Sequence, residues 1–286
     1  MNELDPRLIE IVITVGANNH SFTGDLAIRA QGVLFANPLS DTCEVTLYNL
    51  TRANQDYILN VTSPYSSNHE PKTLTVKAGR QSYGLTSIYQ GTILLSSATQ
   101  PPDIGVILTC LSGASFQNIV YNVSLDGISS LDVAINKLAE RMGAQSDIQI
   151  ENAKMIGNYN FNGTAIGEMA YLNSFGNLTV FYNQGKGALL VKDAYVALTG
   201  TQRVVSEETG MIGVPEWTEL GVKVIFLIDN KTQIGGGIRL ISKRYPAFSG
   251  DYAIFKLGFN LASRETPFYY IAEAARVPDP TTGIAV

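Results

Sequence analysis

Cysteine and histidine are nearly missing, with two of each in 286 residues, and tryptophan occurs once. So few cysteines exclude a disulfide framework. Cys43 and Cys110 lie in apolar, strand-like runs and read as two small buried thiols. His20 and His69 fall in polar, loop-like stretches with no ligand spacing, so no metal site and no cofactor is expected. Charge is scarce too: Asp, Glu, Lys and Arg make up 16% of the chain, the net charge is −5 and the pI is near 5.1. Without a basic stripe, that balance excludes the electrostatic footprint of nucleic-acid recognition. No apolar run approaches the roughly 20 residues of a membrane helix, so no membrane insertion is expected. Met1 to Arg7 lacks the charged-then-apolar pattern of a signal peptide, which makes folding in a cytoplasm the expectation. The Asn-x-Ser/Thr triplets at Asn49, Asn60, Asn122, Asn162 and Asn177 then mean only an Asn- and Thr-rich chain.

What is present favours strands and turns. Glycine occurs 26 times and apolar residues make up 45%, and 286 residues are long enough for two or three small domains with their own cores. The first block, residues 1–118, reads as strands over Leu8–Val15, Asp25–Phe35, Thr42–Tyr48, Leu74–Gly79, Ser87–Leu95 and Ile104–Cys110. Asn18 to Ser21 reads as a polar break, and the interior Gly91 as a bulge or barrel corner. Thr51 is placed to cap a short helix through Tyr57 and Leu59. Ser63 to Pro71 reads as a polar loop with two prolines.

Residues 119–200 change character. Ser129-Ser130-Leu131-Asp132 forms a cap, and Leu131, Ile135, Leu138 and Met142 follow at helical spacing until Gly143. A second helix is expected from Thr164 toward Phe175, closed by Gly176. Strands over Asp147–Ile150, Leu178–Tyr182 and Ala188–Asp193 complete a small α+β domain of two helix-then-strand units. The last block, 201–286, returns to strands at Gly221–Ile228, Gly236–Ser242, Asp251–Leu261 and Phe268–Val277, before a loose tail from Val277-Pro278-Asp279-Pro280. The fold class is therefore β-rich and multidomain, with two small β-barrels flanking an α+β domain.

Strands of the last block are apolar on both faces. Val222, Val224, Phe226 and Ile228 fill one face, and Ile225 and Leu227 make the other apolar as well. Asp251 to Phe255 and Phe268 to Ile271 repeat the doubling. A small barrel has one inner face to fill, so something must cover the outside. Val222, Val224, Phe226, Tyr252, Ile254 and Phe255 are accordingly candidates for an interface, with Trp217 as a further anchor.

No chemistry-bearing constellation competes with that reading. Glu207-Glu208 is the one adjacent acid pair, and chain neighbours rarely flank a scissile bond as a glycosidase requires. Gly235-Gly236-Gly237 is followed by a strand, with no Lys-Ser/Thr, so it is not a phosphate loop. Ser115 and Ser174 have no histidine at a meaningful spacing. No catalytic residue is assigned.

One resemblance runs through the chain in order. Tyr48-Asn49-Leu50-Thr51, a strand entering a capped helix, resembles the Asn-Leu-Ser/Thr turn of the hub proteins of contractile phage baseplates. Thr209-Gly210-Met211-Ile212-Gly213-Val214-Pro215 is similar to the Thr-Gly-Leu-Ile-Gly-x-Pro turn before their last barrel. Gly32 to Leu50, Ile88-Tyr89-Gln90-Gly91-Thr92-Ile93, Pro102-Asp103-Ile104, Asn162-Gly163-Thr164, Gly237 to Ser242 and Gly250 to Leu257 match the same family in sequence. The resemblance, which extends to the hub region of secretion-system spike proteins, implies a structural virion protein. It implies a homotrimeric ring joining the six-fold tail tube to the three-fold central spike, in contact with other baseplate proteins. No appended lysozyme-like or peptidase domain is expected from the sequence, whose 286 residues leave no room for one, and that fits a hub whose spike and hydrolase are separate proteins. The hub of a tailocin or another injection machine is the same reading in another particle. A tail-associated cell-wall hydrolase and a glycan-binding β protein are the alternatives of a different class.

Overall fold

Alternation of apolar and polar residues sets the strands, and two caps set the principal helices. The structure, a computed structural model, describes residues 5–278 apart from 39, 64, 67–69, 117–119 and 176. In the first block Ile9, Ile11, Ile13 and Val15 face inward from β1 (Arg7–Val15). The expected break after it is a strand, β2 (Asn18–Thr23), folded back in antiparallel register through the left-handed Gly16. Polar residues with one inward Phe22 suit an edge strand, which is why this segment reads as a loop.

β3 (Ile28–Phe35) and β4 (Thr42–Tyr48) follow. Asn49, in the left-handed region at φ 59°, turns the chain, and the Thr51 hydroxyl accepts the Asn54 N–H at 3.3 Å to start α1 (Arg52–Val61). β5 (Lys72–Arg80), β6 (Gly84–Ala98) and β7 (Gly105–Leu111) close the block. The bulges of β6 fall on either side of Gly91, at Ile88 and at Leu94. Gly91 itself makes room for the Tyr89 ring, whose hydroxyl would lie 2.1 Å from a Cβ there. Of the expected polar loop, Pro64 and Ser67 to His69 lie outside the described residues.

The middle block contains two strand–helix–strand units. β8 (Val120–Ser130) leads into α2 (Leu131–Arg141) and then β9 (Gln145–Gln149). β10 (Met155–Thr164) leads into α3 (Ala165–Asn173), β11 (Leu178–Asn183) and β12 (Ala188–Asp193). Ser130 and Thr164 cap the helices, each accepting a backbone N–H of the first turn. Gly143 ends the first helical segment at φ +64°; Gly176, expected to end the second, lies outside the described residues. The leading strands pair as a two-stranded ribbon, and β9, β12 and β11 form a mixed three-stranded sheet. Leu131, Ile135, Leu138, Met169, Leu172, Val180, Leu189 and Val191 belong to a core of this block's own.

The last block adds two short strands to the four expected. They are β13 (Arg203–Ser206) and β14 (Met211–Trp217), followed by β15 (Gly221–Leu227), β16 (Gly237–Ile241), β17 (Gly250–Ala262) and β18 (Phe268–Arg276). The Thr209-to-Pro215 segment is thus a turn at Glu207–Gly210 running into an edge strand.

The two β blocks are not separate sheets. Residues Lys256 to Ala262 of β17 pair with Phe35 to Arg29 of β3, so a 13-stranded sheet runs unbroken from one block into the other. One apolar core follows it, from Ile9 and Ile11 through Val45, Leu108, Tyr89 and Phe259 to Phe226 and Tyr270. Among the described residues no ladder closes either block on itself.

Cys43 and Cys110 are direct cross-strand partners on β4 and β7, both facing the core. Burial pushes both thiols up, Cys110 to about 12. Neither should react with Ellman's reagent in the native protein, and both should react once it is unfolded in guanidinium. Rapid labelling of either thiol without denaturant would show that β4 and β7 open readily.

Candidate assembly surface

The seven candidate interface residues separate by burial. Val222, Val224, Phe226, Tyr252 and Ile254 are at most 1% exposed inside the chain's own core. They hold this fold together and leave no surface for a partner, which corrects the sequence-based expectation for these five. Phe255 is half-buried. Trp217 is 53% exposed and stacks on Phe248, ring centroids 4.4 Å apart, with Tyr245 edge-on to the same Phe248. Leu220, Tyr245 and Ile241 are exposed in this last block as well.

The doubled apolar pattern is accounted for by the sheet's other face. Ile225, Ile271, Gly258 and Val33 lie in one cross-strand row over β15, β18, β17 and β3. The neighbouring row is ionic and alternates in register: Glu216, Lys223, Glu273, Lys256. Lys223 meets Glu216 at 3.2 Å and Lys256 meets Glu273 at 2.7 Å. Where the two blocks join, Gly32 and Gly258 leave a shallow trough of about 540 Å3, bordered by Val33, Ile271, Glu44 and Lys256. This face crosses the seam between the blocks, polar in one row and apolar in the next.

The residues considered for chemistry have positions that explain them structurally. Glu207 accepts the Lys243 N–H at 3.0 Å and the Ser242 hydroxyl at 3.3 Å, and Glu208 pairs with Lys243. Together they fasten the turn before β14 to the loop after β16. Gly235 packs its backbone against Phe181 and Leu198, at φ +78°, where a Cβ would lie 2.8 Å from the Phe181 ring. Ser174 donates to the Tyr171 carbonyl in the last turn of α3, and His20 packs on Tyr57. The Ser115 side chain and His69 lie outside the described residues. Among the described residues no three His, Cys, Asp or Glu side chains form a metal-binding group, and no helix is long and apolar enough to cross a membrane.

A family model described as baseplate hub gp41 matches residues 8–274. The chain belongs to that family. No curated protein sequence matches it. Among solved structures, this hub is similar to a tail protein from Neisseria meningitidis MC58, with 10% identity, 94% of this chain and 96% of that one covered, and a TM-score of 0.64. It is also similar to the 43 kDa tail protein of prophage MuSo2 from Shewanella oneidensis, at 7% identity, 94% and 98% coverage and a TM-score of 0.63. A third is the E. coli c3393 protein, described as a type VI secretion component structurally similar to T4 tail proteins gp27 and gp5. There identity is 9%, coverage 93% and 77%, and the TM-score 0.60. At these identities the likeness is one of fold. The hub is a component of the virion tail.

Proposed function

We propose that this baseplate hub acts as a homotrimeric ring that adapts the six-fold tail tube to the three-fold central spike, by mechanical attachment without catalysis. The observation that supports this most is the β17–β3 ladder. It sets two β blocks edge to edge in one chain, so three chains offer six blocks around a ring. The ionic and apolar rows that cross the seam supply a surface for neighbouring copies or the tube, and the Trp217–Phe248 stack supplies an aromatic anchor. The tube or its terminator, the spike and other baseplate proteins are the partners of this reading. Carriage by a tailocin or another injection machine uses the same surfaces.

Light scattering at micromolar concentration should report three chains per particle, or a monomer that trimerises when tube or spike protein is added. A tight dimer that needs no partner would sink the reading. Glu207→Gln and Glu208→Gln should change nothing in assays with peptidoglycan or glycan substrates, because both carboxylates fasten a loop. Turnover by the wild-type chain that either variant abolishes would favour a hydrolase instead.

A further inference from the structure

Two buried charged side chains border cavities, and they differ in how they are satisfied. Lys192, on β12, is 3% exposed at the edge of a groove. Its ammonium donates to the carbonyls of Val196 at 2.6 Å and Asp193 at 3.4 Å, so the chain supplies its partners. Asp41 has less. Its Oδ1 accepts the Phe35 N–H at 2.8 Å, and among the described residues no lysine or arginine pairs with it. A buried carboxylate without a cation is costly.

Asp41 borders a cavity of about 250 Å3 to which all three blocks contribute. β6 supplies Thr86 to Gln90, the β11–β12 turn supplies Asn183 to Lys186, and the loop after β15 supplies Asn230 to Ile234. The space holds about eight waters, or one small organic molecule. Burial sorts its lining into a base and a rim. Asp41 lies in the base with the buried, apolar Leu34, Ile88, Ile234 and Leu257. Tyr89 and Tyr270 lie there too, each 2% exposed, and no described residue bonds either hydroxyl. Burial pushes the Tyr89 phenol up, and the Cys43 and Cys110 thiols and the Asp41 charge add to it, which places that hydroxyl in the field of the carboxylate. Buried hydroxyls without a partner are rare unless a bound group completes them.

The rim carries the opposite sign. Lys186 and Lys231 are exposed there, and neither ammonium meets a carboxylate among the described residues. One carboxylate and no histidine are too few ligands for a divalent metal. An acid below, an apolar wall and two lysines above suit an amphoteric guest instead. Asp41 is ionised at neutral pH, since burial raises its carboxyl only to about 6. An organic ammonium brings three donors, enough for the carboxylate and for a tyrosine hydroxyl.

We propose that this cavity binds an ω-amino carboxylate. Its ammonium sits on Asp41, its methylene stem lies along Leu34, Ile88 and Leu257, and its carboxylate faces Lys186 and Lys231. Bound there, it ties the three blocks together.

Calorimetric titration of the full chain at neutral pH with ε-aminocaproate tests this, beside pentylamine and hexanoate, each of which lacks one charged end. Pentylamine should bind about fivefold more weakly, for want of the exposed ion pairs, and hexanoate about thirtyfold, for want of the buried one. Asp41→Asn keeps an oxygen for the Phe35 N–H and should weaken ε-aminocaproate about thirtyfold with the fold intact. Lys186→Ala/Lys231→Ala should weaken it about fivefold without weakening pentylamine, because only the rim charges are gone. A wild-type chain that takes up no ε-aminocaproate would overturn the proposal. So would equal affinity in wild type and Asp41→Asn, or a lysine double variant that binds ε-aminocaproate as tightly as wild type.

Discussion

Phe226→Ala should lower the unfolding free energy by about 3–5 kcal/mol, the cost of emptying a fully buried aromatic site. Phe226 is 0% exposed, stands opposite Met211 and Tyr270 in register, and has its ring 5.8 Å from that of Tyr270. The core around it runs unbroken into the first block through Phe259 and Tyr89. Urea unfolding followed by fluorescence and by circular dichroism should therefore shift together, as one transition of both β blocks. Trp217→Ala is the control from the opposite end of the exposure scale, and should cost less than about 1 kcal/mol while weakening assembly. If Phe226→Ala cost no more than Trp217→Ala, or if the two β blocks melted separately, the shared core would be wrong.

The contrast between those two residues shows what the sequence made legible. Period-two alternation sorted Val222, Val224 and Phe226 correctly onto one face, but it cannot tell a chain's own core from a partner's surface. When both faces are apolar, only the fold decides, and here the half-buried face is that of Ile225 and Leu227. The helices were readable because their caps, Ser130 and Thr164, are local signals. The β8–β10 ribbon was not, since Asn, Ser and Gly interrupt its alternation and its strands pair across an intervening helix. Nor was the β17–β3 ladder, in which Leu261 meets Ala30: pairing at that separation leaves no trace in a single sequence. Lys192 was missed for a simpler reason, because a lysine in a strand reads as a solvent-facing residue.

A second buried ionisable group has the larger consequence for stability in solution. Asp41 is 7% exposed at the start of β4, where its Oδ1 accepts the Phe35 N–H at 2.8 Å. Its backbone exchanges bonds with Ser112, accepting the Ser112 N–H at 2.9 Å and donating to the Ser112 hydroxyl at 2.8 Å. Burial raises the carboxyl from 3.8 to about 6, and the Phe35 and Ser112 bonds offset only part of that. The folded chain therefore holds a proton that the unfolded chain has released between about pH 4 and pH 6. Stability from this group is complete below pH 4, falls as pH rises to about 6, and stays lost above it. The difference corresponds to roughly 3 kcal/mol. Asp41→Asn keeps an oxygen for the Phe35 N–H and carries no charge at any pH. It should match wild type near pH 4 and exceed it by about 2–3 kcal/mol at pH 7. Glu10 and Asp251, held low by the partners Ser21 and Arg239, give the opposite slope in both proteins and cancel in the comparison. Urea titrations of the pair at pH 4, 5, 6 and 7 read the effect directly. A difference that stays constant across that range would mean that Asp41 remains ionised within the fold, with water or another group at its second oxygen.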